Sequence, residues 1–301
     1  MKKTLDPAME MSYFLLDAIE NCKKLSKRYE KNELDRKYEE YCEEISRQLI
    51  EIFLNVQDKQ FDSSYKGYNF FLLYIHSWFN YIIDTKELKN KKIDMALHNL
   101  LISALKKYKD IIFLMENKQY ESSIILFRSL YENIVILCFL NYNDCFEEIY
   151  EHSFYKLFKK APVDSEDYND IHEKLKCLEQ KYTKADLKSN YGWARKIISK
   201  NNCKIYFTDI LEKVIINNDF LKNMYEDMSL LVHSNSTILN DAHFVPLLEN
   251  NLIKYINCFG IPFLTKCFYD VFCDISYGNA NFFLKICEIS MKKYGIEINI
   301  R

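Results

Sequence analysis

The sequence predicts an all-α protein, a multi-helix bundle with an N-terminal helical extension. Its 301 residues include only 5 Gly and 4 Pro, and so few helix breakers in a long chain favour long helices with short connections. Apolar residues recur three and four positions apart along almost the whole chain, which is the period of a helix that buries one face. The sequence also lacks strand pairs, Asn-Gly hairpins and any fixed-period repeat.

The N-terminal extension is assigned to about residues 1–85. Its first two helices are expected at about Pro7–Lys31 and Leu34–Val56, and each has an apolar row along one side. In the second, charged residues fill the opposite side, which is typical of a solvated face. A polar loop is expected at 57–66. The next segment, 67–83, is apolar nearly all round, so it predicts a buried helix.

Residues 86–301 are predicted to form a helical core, and the alternative is one continuous domain with the extension. A short turn at Asn117 between two long helices implies an antiparallel hairpin. Gly260 and Pro262 predict a kink or a break late in the chain. The core helices are expected at about 94–116, 119–141, 144–160, 165–182, a short one at Trp193, 218–233, 247–275 and 280–294.

Charge and cysteine content argue against several classes of protein. The 41 basic and 43 acidic residues give a net charge of -2, so overall charge does not indicate nucleic acid or an anionic membrane as partner. The ten cysteines are scattered without a C-x-x-C motif, which argues against a zinc ribbon or a thioredoxin-like centre. We interpret them as reduced, buried thiols and predict a cytoplasmic protein.

No membrane segment, metal or cofactor is predicted. The N-terminus carries no apolar signal region, and no run of 18 uncharged apolar residues occurs. The six histidines show no metal-ligand spacing and form no H-E-x-x-H motif. With five glycines in the whole chain, no glycine-rich nucleotide loop exists.

The helix predicted at 119–141 contains the first candidate site. Arg128, Ser129, Glu132 and Asn133 form a polar patch one turn high on an otherwise apolar helix. A buried Arg and Glu are costly unless they are paired or reach water. Two interpretations remain open: a structural Arg128–Glu132 ion pair that fixes the packing, or the lining of a cavity.

The helix predicted at 218–233 contains the second candidate. Tyr225, Ser229 and His233 fall on one row of that helix. His233 has an ordinary pKa near neutrality and could act as an acid or a base, or it could be a hydrogen-bonded core histidine. The two helices are expected to face each other around a polar site.

In that site Arg128 would hold an anion such as phosphate, and Glu132 would orient His233. These three residues are the predicted catalytic set. The predicted binding residues are Ser129, Asn133, Tyr225, Ser229, Asn235 and Trp193.

Three short motifs resemble a bacterial all-helical family called domain of unknown function 5677. They are Arg128-Ser-Leu-Tyr-Glu132, Gly192-Trp-Ala194 and Tyr225-Glu-Asp-Met-Ser-Leu-Leu-Val-His233. The family pattern has an Arg-Ser-x-x-Glu helix, then a Trp helix, then a Tyr-x-x-x-Ser-x-x-x-His helix. The resemblance covers roughly residues 94–274. It implies an all-helical core but no activity, and it implies a setting near bacterial phage-defence genes.

The helical HEPN ribonucleases are a second comparison. Their active site has an arginine and a histidine four to six residues apart on one helix, and none of the six arginines of this chain has a histidine at that spacing. An ordinary HEPN site is therefore disfavoured. A divergent site that combines Arg128 with His233 remains an alternative.

Three functions follow from these residues. The leading hypothesis is a cytoplasmic module whose internal polar pocket binds a small anion, a nucleotide or an RNA end, in phage defence. The first alternative is a metal-independent ribonuclease with His233 as general base and Arg128 stabilising charge on phosphorus. The second is an oligomeric adaptor without a catalytic site. The 23 Tyr and 21 Phe could supply a homodimer interface.

Overall fold

The structure is a computed structural model, and every regular element that it describes is helical, without a strand among the described residues. The all-α prediction is therefore confirmed. The described residues are 7–25, 28, 30–57, 65–84, 91–160, 168–199, 204–215, 218–233 and 245–298.

The helices agree with the predicted ones to within a few residues over most of the chain. They are α1 (Pro7–Leu25), α2 (Lys31–Gln57), α3 (Lys66–Asp84), α4 (Lys91–Glu116), α5 (Tyr120–Asn143), α6 (Phe146–Phe158), α7 (Tyr168–Lys181), α8 (Lys184–Lys188), α9 (Phe207–Val214), α10 (Asp219–His233), α11 (Val245–Tyr255), α12 (Ile261–Ile275) and α13 (Tyr277–Lys292). A 3₁₀ helix covers Gly192–Lys196, and a π-helical segment covers Ile256–Gly260. The sequence did not predict α8 and α9. Of the predicted loop 57–66, residues 58–64 lie outside the described residues.

The chain forms two compact units. The first unit comprises Met1–Leu88, Ala104–Tyr131 and Met224–Arg301, and the second comprises Lys89–Ser103 and Glu132–Asn223. The predicted boundary near residue 85 stays a prediction.

Trp78 of α3 lies at the centre of the first unit. Its side chain is fully buried, and its ring makes edge contacts with Phe272 at 4.9 Å and Phe283 at 5.4 Å. Tyr74, one turn earlier, donates a hydrogen bond to the carbonyl of Phe283 at 2.6 Å. Helix α3 thus packs against α1, α12 and α13, and its nearly uniform apolar surface is explained by burial on several sides.

A π-helical segment separates α11 from α12 where a kink or break was predicted. Pro262 falls in the first turn of α12 and has no N–H to donate to the carbonyl of Cys258, so the regular hydrogen-bond ladder cannot continue there. The preceding turn, Ile256–Gly260, widens to π geometry instead. Such single-turn insertions occur frequently at functional sites.

In the second unit, α6 packs against α7, α8 and the 3₁₀ helix Gly192–Lys196. Trp193 of that 3₁₀ helix is 3% exposed and meets the ring of Phe139 edge-on at 5.7 Å. The short helix that was predicted at Trp193 is therefore present, and it buries an aromatic anchor.

Helix α5 is the one helix among the described residues with the length and apolar composition of a membrane span. Of its most apolar window, 61% is buried inside the protein, and the buried core helix of a globular domain meets the same criterion. The expectation of no membrane span therefore stays a prediction.

Candidate functional site

Arg128 of α5 and Tyr225 of α10 are in direct contact within the first unit. The Nη2 atom of Arg128 donates a hydrogen bond to the Tyr225 hydroxyl at 3.2 Å. The guanidinium carbon also lies 5.3 Å from the centre of the Tyr225 ring, which is cation–π distance. Both side chains are half-buried. The tyrosine thus orients the cation through both its hydroxyl and its ring.

The Tyr225 ring is the outer member of a stack of aromatic side chains. It stacks on Tyr131 at 5.7 Å, Tyr131 stacks on Phe259 at 4.1 Å, and Phe259 stacks on Phe263 at 4.5 Å. Tyr131 and Phe259 are fully buried, and burial raises the pKa of Tyr131, so its hydroxyl stays neutral. Arg128 is therefore held at one end of a rigid, uncharged aromatic support.

The π-helical segment determines where Phe259 lies in this stack. Phe259 and Gly260 are the last two residues of this segment, and both are buried. A Cβ atom on Gly260 would come 3.1 Å from Cε2 of Phe127, so a larger residue there would push against α5. The π turn and this glycine together allow α5 and the stack to approach closely.

A second cation, Lys107 of α4, contacts the backbone of α5 one residue after Arg128. Its Nζ atom donates a hydrogen bond to the carbonyl of Ser129, the residue that follows Arg128, at 3.2 Å. Lys107 is half-buried. The sequence analysis did not predict it, because Lys107 stands among other lysines of α4 and nothing in the sequence distinguishes it from them.

Each of the two predicted serines is part of a hydrogen bond to a backbone carbonyl. Ser229 donates its hydroxyl proton to the carbonyl of Tyr225 at 2.7 Å, one turn back on the same helix. Ser129 is half-buried, and its carbonyl holds Lys107. Both serines thus belong to the immediate surroundings of the Arg128–Tyr225 pair.

The other predicted site residues lie either in the second unit or outside the described residues. Glu132, Asn133 and Trp193 fall in the second unit, where the Asn133 amide donates a hydrogen bond to Ser103 Oγ at 2.9 Å. His233 ends α10, but its side chain, like the whole of Asn235, lies outside the described residues. The predicted joint action of Arg128, Glu132 and His233 stays a prediction.

A polar cluster in the second unit was not predicted. Asp186 of α8 is 4% exposed, and its carboxylate accepts hydrogen bonds from Arg195 Nε and Thr183 Oγ1, both at 2.7 Å. The backbone carbonyl of Asp186 lies 3.2 Å from Nε2 of His152, which is buried. Burial lowers the pKa of His152 and keeps its ring neutral near pH 7.

This second-unit cluster has the features of a structural clamp. Its carboxylate is satisfied by a cation and a hydroxyl of the same unit, as buried charges require. It joins α6, α8 and the 3₁₀ helix Gly192–Lys196. Among the described residues, no group of three or more His, Cys, Asp or Glu side chains could hold a metal ion.

The sequence comparison identifies the family. A model of a family of unknown function, DUF5677, matches residues 94–251, which is more than half of the chain. The chain belongs to this family. The DUF5677 match starts where the resemblance was predicted to start and ends earlier, at residue 251, and it includes Arg128, Lys107 and Tyr225. No curated protein and no solved structure matches the chain.

Proposed function

We propose that this DUF5677 protein is a binding module in which Arg128 holds a small phosphate-bearing ligand, either a nucleotide or the end of an RNA. The observation that carries the proposal is the fixed position of Arg128 on the ring and hydroxyl of Tyr225. A planar guanidinium binds phosphate oxygens through paired N–H donors and also stacks on nucleobases.

The surroundings of Arg128 favour an anionic ligand over a neutral one. Lys107 adds a second positive charge next to the backbone of Ser129, and the tyrosine at the adjacent position in the stack, Tyr131, is uncharged. In a half-buried site the attraction between a cation and a phosphate is screened less than it is in bulk water. Preorganisation by the stack reduces the entropy lost when the ligand binds.

Calorimetric titrations with AMP, inorganic phosphate and adenosine test this proposal. We expect AMP and phosphate to bind the wild type and adenosine to bind weakly. Arg128→Gln should weaken AMP binding on the order of tenfold to a hundredfold, as expected for a charge-assisted hydrogen bond. Arg36→Gln is the control, because Arg36 is an exposed arginine of α2 whose side chain is 66% accessible.

The adaptor alternative makes the opposite prediction. If the wild type binds none of the three probes and Arg128→Gln only lowers the melting temperature, then Arg128 and Tyr225 serve packing alone, and the binding proposal is wrong. Arg128→Lys tests whether binding needs only the positive charge or also the planar guanidinium, since lysine keeps the charge and lacks the paired N–H donors.

A second candidate is a metal-independent ribonuclease. The observation in its favour is that α10 continues to His233, which places Tyr225, Ser229 and His233 at successive turns of one helix. RNA cleavage by the purified protein in chelator tests it, with wild type against His233→Ala. Cleavage that disappears in an equally stable His233→Ala variant would establish the enzyme, and intact RNA with the wild type would remove it.

Two further proposals concern the cellular setting. We propose the setting that the family resemblance implies, bacterial phage defence, and a plaque assay with cells that express wild type or Arg128→Gln tests it. We also propose a homodimer, for which the tyrosine and phenylalanine content is the support. Sedimentation of the purified protein measures that state directly.

A further inference from the structure

Two hydrogen bonds bring separate segments of the second unit to the C-terminal end of α6. The Nζ atom of Lys156 donates to the carbonyl of Lys188 at 2.8 Å. Ser189, the next residue along the chain, donates its hydroxyl proton to the carbonyl of Ile205 at 3.4 Å. Ile205 is fully buried. The residues on either side of Ile205 are therefore held close to the end of α6.

Three lysines lie close together at this place. Lys156 is half-buried, whereas Lys159, at the end of the same helix, and Lys204, which precedes Ile205, are exposed. The pKa of Lys156 is lowered by burial and then by the charges of Lys159 and Lys204. Both of these charges are positive, so a bound anion would reduce the repulsion within the cluster.

Tyr206 places an aromatic ring in solvent beside the lysines. It is 56% exposed, although its backbone is fixed: its N–H donates to the Asp209 carboxylate at 2.9 Å, and its carbonyl accepts from the Asp209 N–H at 3.1 Å. The Nζ atom of Lys204 lies over the ring, 5.4 Å from its centre, at cation–π distance. A ring that is already held in place loses little entropy when a flat ligand stacks on it.

We propose that these three lysines and this tyrosine form a surface that binds single-stranded nucleic acid, with phosphates at the lysines and an unpaired base stacked on the tyrosine. We call it the lysine–tyrosine surface, and its members are Lys156, Lys159, Lys204 and Tyr206. Phosphate contacts supply affinity without regard to sequence, and an exposed ring stacks on any base whose face is uncovered. A duplex covers those faces with neighbouring base pairs, and an acidic peptide brings no base.

The lysine–tyrosine surface shares no residue with the Arg128–Tyr225 pair and does not depend on the function proposed for that pair. The experiment keeps the two apart by using strands without terminal phosphates, which do not present the phosphate-bearing end proposed as the ligand of Arg128. Arg128→Gln should therefore leave the affinity for these strands unchanged.

Fluorescence anisotropy with three labelled strands of about twelve nucleotides tests the proposal. They are an oligouridylate, an oligothymidylate and an abasic deoxyribose-phosphate strand. The full chain should bind the base-bearing strands about five- to a hundredfold more tightly than the abasic strand, which is the contribution of one stacked base. Whichever of the two base-bearing strands binds more tightly identifies RNA or DNA as the better ligand.

Tyr206→Ala isolates the stacking contribution. It should reduce the base-bearing strands to the affinity of the abasic strand and leave the abasic strand unchanged. Tyr142→Ala is the matched control, because Tyr142 is 57% exposed and belongs to the same unit. Tyr142 precedes the start of α6 and Lys159 follows its end, and the 13 residues of α6 span about 20 Å.

The double variant Lys159→Gln with Lys204→Gln isolates the phosphate contacts. For single strands the slope of log K against log salt concentration changes by about 0.7 for each phosphate contact, so this variant should make the slope shallower by about 1.4. Lys176→Gln is the control in α7. Lys176 is exposed and stands on the side of α7 opposite the buried Leu178, and its loss should leave the slope unchanged.

Four outcomes would overturn the proposal. They are that no strand binds the wild type, that the abasic strand binds as tightly as the others, that a control variant weakens binding as much as its partner, or that Arg128→Gln abolishes binding. Each side chain replaced in the lysine–tyrosine surface is exposed, so the melting temperatures should match that of the wild type.

Discussion

Gly192 lies directly against the backbone of Asp186. A Cβ atom on Gly192 would come within 2.0 Å of the carbonyl oxygen of Asp186, far closer than any non-bonded contact allows. The same carbonyl lies 3.2 Å from Nε2 of His152. The 3₁₀ helix, α8 and α6 thus converge on one peptide group, and this close approach requires glycine.

We therefore expect Gly192→Ala to destabilise the second unit. The obstructing atoms belong to the backbone and cannot rotate away, so the cost should be at the upper end of the roughly 1–3 kcal/mol that overpacking usually brings. Denaturant unfolding of the purified variant measures it. Gly278→Ala is the matched control, since a Cβ there meets open space, and it should leave the free energy of unfolding unchanged or slightly raised.

Arg195 and Lys196 are neighbours in sequence, but we expect them to contribute differently to the free energy of unfolding. Arg195 pairs with the buried Asp186, whereas Lys196 pairs with Glu148 and has a side chain that is 62% exposed. Arg195→Ala leaves a buried carboxylate without its cation and should cost on the order of 3 kcal/mol. Lys196→Ala should cost about 0–1 kcal/mol.

The same unfolding experiment compares these two variants. Equal losses for Arg195→Ala and Lys196→Ala would mean that water or another group replaces the cation at Asp186, and the clamp would then contribute little to stability.

His152 makes the stability of the second unit depend on pH. Its folded-state pKa is lowered by burial and by the charge of Lys156, and it is partly restored by the Asp186 carbonyl and carboxylate and by the Ser189 carbonyl. At a pH above about 6.5, His152 is neutral in both the folded and the unfolded state. As the pH falls below that value, the unfolded state takes up the proton first, so stability is lost until the folded pKa is reached.

The free energy of unfolding should therefore fall faster with acidification for wild type than for His152→Gln, by at most about 1.4 kcal/mol per pH unit. Denaturant titrations between neutral and mildly acidic pH measure the difference. Parallel curves for wild type and His152→Gln would contradict the prediction.

Two substitutions at Tyr225 separate its hydroxyl from its ring. Tyr225→Phe removes the hydrogen bond from Arg128 and should cost about 0.5–1.5 kcal/mol. Tyr225→Leu also removes the stack on Tyr131 and the cation–π contact, each of which adds on the order of 0.5–1 kcal/mol. Urea unfolding at low and high salt checks both values, and a leucine variant as stable as the phenylalanine variant would show that the ring contributes nothing.

Long periodic helices were the part of the structure that the sequence predicted well. Helices α2, α5 and α10 begin and end within about three residues of their predicted bounds, since each has a continuous apolar row over several turns. Helix α8 was missed because five residues are too few to show a period. A local signal for it exists, however: Thr183 is a favoured N-cap residue, and it caps the helix by accepting a hydrogen bond from the Asp186 N–H at 3.1 Å.

The sequence predicted single residues of the candidate site but not the contacts between them. Arg128 and Tyr225 stood out because each interrupts an apolar helix, and a buried polar group needs a partner. Lys107 did not stand out, because the lysine-rich stretch of α4 conceals which lysine turns inward. Its hydrogen bond to Ser129 is visible only in the folded chain.

By itself the sequence determined the all-α class, the extent of most helices and membership of a family, since these depend on periodicity and short-range pattern. The tertiary structure decided that Arg128 meets Tyr225, 97 residues away, and that the buried Asp186 meets Arg195. The physical reason is that periodicity shows which face of a helix is buried but not what that face touches. Which side chains contact each other depends on how all the helices pack together, and that is a property of the whole fold.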